Sequence, residues 1–132
     1  MFGSSYANRA SAYARIGTET SVESASPHKL ILMLYDGALL SVRTASAAMR
    51  SGDIPTKGAS VSKAINIITN GLKASLDLSV GGELAIRLDA LYEYMSERLF
   101  YANLHNNEAA LDEVVNLLSN LREAWTEIAD KH

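Results

Sequence analysis

Three histidines, His28, His105 and His132, are the residues of this chain best suited to proton transfer or metal binding, and none stands where that chemistry needs it. A carboxylate-bridged metal centre in a helical protein takes Glu-x-x-His pairs facing inward from two helices. No histidine here has a glutamate three residues before it. His28 falls in a first helical turn, His105 at a helix end and His132 at the terminus, so none is placed as an exposed mid-helix phosphoryl carrier. They read as surface or capping residues. Asp89, Glu93 and Glu97 recur every four residues and read as a solvated helix face. The absence of cysteine removes disulfides, thiolate nucleophiles and sulfur-rich metal sites, and fits a reducing compartment. Gly81-Gly82 lacks the preceding strand and downstream Lys-Ser or Lys-Thr of a phosphate loop. No serine belongs to a nucleophilic constellation. The expectation is a protein without catalytic residues, metal or cofactor, which is not an enzyme.

The elements behind these residues are helical. Ser26-Pro27 is a start signal: serine caps free amides, and proline at the first helical position loses nothing by lacking an N–H. A helix of about 24 residues should run from there to Met49, stopped by the Gly52–Pro55 punctuation. A second is expected from about Thr56 to Leu78, with Val61, Ile65, Ile68, Leu72 and Leu76 as its core stripe and Ser79-Val80-Gly81-Gly82 as its end. A third, from about Glu83 to Leu104, carries Leu84, Leu88, Leu91, Met95, Leu99 and Ala102. Asn107 can cap a fourth, whose face is Leu111, Val114, Val115, Leu118, Leu121, Trp125 and Ile128. Four helices with short linkers bury these stripes most simply as an all-α, antiparallel four-helix bundle over residues 26–130. Residues 1–25, rich in Ser, Ala and Thr, read as a mobile or loosely docked N-terminal arm in which Tyr6 and Tyr13 are isolated anchors.

Composition narrows the partners. The 132 residues carry a net charge of −3, with eight Lys/Arg against four Asp/Glu over residues 1–76 and four against eleven over 77–132. An acidic second half repels phosphates, and the basic residues of the first half are scattered, so nucleic acid is not an expected partner. The N-terminus lacks the apolar run of a signal peptide. No stretch approaches 18 uninterrupted apolar residues, so membrane insertion is not expected either. A cytoplasmic protein is the reading.

There is more apolar surface than one core uses. Leu30-Ile31-Leu32-Met33-Leu34-Tyr35 wraps the whole first helix. Ile67, Ala74 and Leu78 leave the core stripe of the second, and Ile86, Ala90, Tyr94, Tyr101 and Leu104 lie opposite or beside that of the third. Tyr6, Tyr13, Leu32, Met33, Ile67, Leu78, Ile86, Tyr94, Tyr101 and Leu104 are therefore the candidate partner-binding residues, because exposed apolar and aromatic grooves take helices or extended peptides. A structural or regulatory helical protein that takes another client, or self-associates through these stripes, is the alternative. Asp36 can accept a hydrogen bond from a neighbouring segment, and Gly37, costly inside a helix, suggests a close approach; both also fit a tolerated surface.

Ala25-Ser26-Pro27, Leu30 and Met33-Leu34-Tyr35-Asp36-Gly37, then Leu88-Asp89-Ala90-Leu91-Tyr92-Glu93-Tyr94-Met95, Arg98-Leu99, Ala102-Asn103, Leu111, Glu113-Val114 and Arg122-Glu123-Ala124-Trp125, resemble in order and spacing the flagellar secretion chaperone family FliS. The resemblance covers about residues 20–128, with Tyr6 and Tyr13 matching the family's tyrosine-bearing arm. It implies a cytoplasmic, ATP-independent chaperone that binds the disordered C-terminal segment of flagellin, prevents premature polymerisation and helps deliver it to the flagellar type III export apparatus. The arm would cover part of the binding surface until flagellin arrives. Export-gate components and a regulatory protein are further partners the resemblance suggests, for a chain that is a monomer or weak dimer.

Overall fold

A computed structural model describes residues 26–130. The first helix, α1, spans Pro27–Ser51: the Ser26 side chain accepts from the Lys29 N–H, Pro27 opens the first turn, and Gly52 closes the helix at φ 74°. α2 spans Ile54–Asn66, its N-terminus capped by Asp53, and continues as a π turn, Ile67–Leu72, and a 3-10 turn, Lys73–Ser75. Leu76 is extended and Asp77 caps α3, Leu78–His105, which bends at Gly82. Asn106 ends α3 in the left-handed region at φ 51°, and α4 follows as Glu108–Asp130, with Asn107 accepting from the Ala110 N–H at 2.9 Å.

Ser26 and Asn107 thus act as the caps their types suggest. The second helix differs from expectation at its end. It leaves α geometry at Ile67 instead of running to Leu78, and the 79–82 stretch begins α3 instead of closing α2.

Each helix packs on its sequence neighbours and α1 also packs on α4, so the four close into an antiparallel square with α1 and α3 on one diagonal. Leu34, Val42, Val61, Ile68, Leu72, Met95, Leu99, Leu111, Val114 and Leu118 fill the centre. The diagonal is bridged by one buried polar contact, Tyr35 Oη to Tyr92 Oη at 2.5 Å. Burial pushes both phenols above their ordinary range, and most strongly Tyr92, so the pair stays neutral. Lys57 is buried with its ammonium donating to the Asn103 carbonyl at 3.0 Å and to Asn106 Oδ1 at 2.5 Å, which fastens the start of α2 to the end of α3. α1 is long and apolar enough to cross a membrane by composition, but 56% of its apolar window is buried by the other helices, as a core helix requires.

Candidate functional site

The open end of the bundle, where α1 begins and α4 finishes, is held by an aromatic pair. His28 and Trp125 stack with ring centroids 4.2 Å apart. Trp125 Nε1 donates to the His28 carbonyl at 2.9 Å, and His28 Nε2 lies 3.3 Å from the Trp125 carbonyl oxygen. His28 is therefore half-buried and locks α1 to α4; it is not a bare surface residue. Beside it, Leu76, Asp77, Gly81, Leu84, Ala85, Leu88 and Trp125 line a mostly apolar cleft of about 200 Å³.

This cleft marks where the core stops short. Position 84 falls on the core-facing side of α3 by helical spacing, yet Leu84 is 66% exposed. Leu88, Leu91, Leu117, Leu121 and Trp125 are only partly buried at the core's edge, and Ile128 is exposed. The reading of Leu84 as core is thus corrected: its direction is right, but no neighbour among the described residues covers it.

The outer face of α3 carries the second stripe. Leu78 (48% exposed), Ile86 (58%), Tyr94, Tyr101 and Leu104 (66%) are all accessible, as the extra apolar positions suggested. Leu32 and Met33 are half-buried on α1, Met33 packed against the core's edge. Ile67 is different: at 2% exposure it belongs to the core, where its Cδ1 comes 3.4 Å from the point a Cβ would occupy on Gly37. A Cβ at Gly37 would meet that methyl at ordinary contact distance, so the neighbour nearest Gly37 is an aliphatic side chain of the core. Tyr6 and Tyr13 lie outside the described residues. Spacing alone missed Val80, Phe100, Leu40 and Ile54, which are also exposed; Phe100 and Leu104 stand one turn apart and extend the α3 stripe.

Polar contacts frame these surfaces. Glu113 of α4 accepts from both the Tyr94 hydroxyl and Arg98 Nε, the latter at 2.8 Å, and Arg98 lies over the Tyr101 ring at 4.9 Å. The Tyr94 hydrogen bond, followed by Arg98, holds the Glu113 carboxyl below the usual glutamate range; the same bond raises the Tyr94 phenol. Arg122 Nε donates to Asp36 Oδ1 at 2.5 Å across α1 and α4, the hydrogen bond anticipated for Asp36. Lys73 pairs with Asp89 at 3.2 Å beside Glu93. No cluster of three or more metal-binding side chains exists among the described residues. What the arrangement offers is apolar area with polar edges.

The sequence comparisons agree with this geometry. The family model described as flagellar protein FliS matches residues 9–132. A flagellar secretion chaperone FliS of Salmonella typhimurium is 52% identical over 120 residues, covering 91% of this chain and 89% of that protein. The one from Escherichia coli is 49% identical over 116 residues, covering 88% and 85%. A more distant one, from Bacillus subtilis, is 36% identical over 119 residues, covering 86% and 87%.

Proposed function

Because this chain belongs to the FliS family of flagellar secretion chaperones, we propose that it binds the C-terminal segment of flagellin in the cytoplasm, keeps it from polymerising and helps deliver it to the flagellar type III export apparatus. The unfinished core at the Trp125 end carries this reading. A folded monomer gains by covering Leu84, Leu88 and Trp125, and here they border an open cleft. A disordered segment that folds on binding must offset its ordering cost with apolar contact. The cleft, the Ile86–Leu104 face of α3 and half-buried Leu32 and Met33 supply that contact. In this reading residues 26–130 are the chaperone domain and residues 1–25 an arm whose Tyr6 and Tyr13 cover part of the same surface until the client displaces them.

Titration calorimetry tests the proposal. Full-length flagellin should bind 1:1 with a clearly negative heat-capacity change, since apolar surface is buried. Flagellin truncated at its C-terminus should not bind; equal binding of the truncated form would refute the assignment. A tight dimer of the free chain at micromolar concentration, with no flagellin binding, would favour self-association through the α3 face instead.

A further inference from the structure

The bend in α3 has the parts of a moving device. Leu78–Gly81 forms a single helical turn set off from the rest of α3 by Gly82, whose φ 60° and ψ −139° are reached easily only by glycine. The bonds that shape the turn are its own: Asp77 Oδ1 accepts from the Ser79 hydroxyl at 2.7 Å and the Ser79 N–H at 3.2 Å, and the Gly81 N–H donates to the Asp77 carbonyl at 2.8 Å. The turn can therefore move as a unit. Behind it the chain is extended at Leu76, after a π turn and a 3-10 turn, so no α-helix stiffens that attachment. A side chain at Gly81 would put its Cβ 2.6 Å from that of Ala85, which shows how closely the turn folds onto the cleft rim. Leu78 and Val80 are nonetheless left facing solvent, at 48% and 62% exposure.

We propose that Leu78–Gly81 is a hinged flap that swings about Gly82 and lays Leu78 and Val80 over a client segment seated beside Trp125. This rests on the reading of the cleft as the site for flagellin's C-terminal segment. Glycine at 82 permits the bent and the straightened backbone at little cost, and the client supplies the apolar surface that favours closure. The flap then slows release without taking part in first contact.

Three changes in the full chain test it. Gly82→Ala disfavours the bent backbone. Leu78→Ser with Val80→Ser leaves the backbone alone and removes the flap's apolar area. Gly58→Ala is the control, because nothing lies within 4 Å of the added Cβ. In stopped flow with a flagellin C-terminal segment, read by Trp125, the chain's only tryptophan, Leu78→Ser with Val80→Ser should dissociate about tenfold faster, whereas Gly82→Ala, which favours the straightened and closed backbone, should dissociate more slowly. Association should stay within about twofold, since changes at one interface fall mainly on dissociation. Motion is read separately: a bimane on Val80→Cys, the sole thiol of this cysteine-free chain, should be quenched more strongly by Trp125 once the segment is bound. Unchanged quenching in the loaded protein, or wild-type release from Gly82→Ala, overturns the flap while leaving the proposed function standing. If Gly82→Ala does not fold, the quenching measurement decides alone. Failure of the wild type to bind the segment would remove the functional reading itself.

Discussion

Replacing Tyr92 by Phe deletes one oxygen from the interior and leaves another without a partner. The Tyr35 and Tyr92 hydroxyls meet at 2.5 Å, and the two residues are 3% and 2% exposed. A hydroxyl there has nowhere to turn for water. Losing one partner of a buried pair costs about 1–3 kcal/mol, the desolvation penalty of the group left behind. Tyr35→Phe should therefore cost about the same as Tyr92→Phe. The double variant removes both polar groups and keeps both rings, so it should be less destabilised than either single change, within about 1 kcal/mol of wild type. Urea unfolding with unchanged m-values gives all three free energies. If the double variant loses the sum of the two single losses, the hydroxyls act independently and the pair is not the tie between α1 and α3 described above. If each single change costs less than about 0.5 kcal/mol, the oxygens find water and this part of the core is wetter than its burial implies.

Met95→Ala, at a site wholly shielded from solvent, should cost about 2–5 kcal/mol, while Leu84→Ala should cost under about 1 kcal/mol by the same chemical denaturation because Leu84 is mostly exposed. Ile86→Asp should weaken flagellin binding in calorimetry and leave the melting temperature nearly unchanged; unfolding of the bundle would mean that the α3 face is core. Glu108 and Glu113 are both held below the usual glutamate range, by hydrogen bonds from Arg50 and from Tyr94 with Arg98 respectively. Their contribution to stability is then present above the unfolded-state glutamate value of about 4.3 and is lost as pH falls below it, so thermal melts should drop through that window and Glu113→Gln should flatten the drop.

Two helix starts were legible because capping is local: Ser26 and Asn107 act on amides three residues away, and a sequence shows both partners at once; the Asp77 cap of α3 was not found. The Asp36 acceptor was legible as a type, although Arg122, its partner 86 residues later, was not. Besides the end of the second helix and the exposed Ile128, two side-chain assignments failed for physical reasons. Helical spacing gives the direction of a side chain and not whether anything stands there, so Leu84 read as core although the bundle ends before covering it. Ile67 read as surface because a wheel of 100° per residue places it off the stripe. The buried face also takes in Lys57, Ala64 and Gly71, which shifts it toward Ile67, and there Ile67 packs beside Gly37. No pattern of large apolar residues alone shows that small and polar positions share the buried face.

Ile67 and Leu84 flank the irregular corner between α2 and α3. Where α2 departs from α geometry after Asn66, the chain spends nine residues, Ile67–Ser75, in looser turns and then enters α3 through a bend at Gly82. Beside this irregular corner the core cluster ends in partly buried residues instead of a sealed wall. Stability is retained elsewhere, by the Lys57 clamp at the opposite end and by the Leu34–Leu118 centre. A bundle built this way is firm enough to stay folded alone and incomplete at one end. Under the proposed function, that incompleteness is what gives flagellin's disordered apolar segment a place to fold without requiring the chaperone to unfold first.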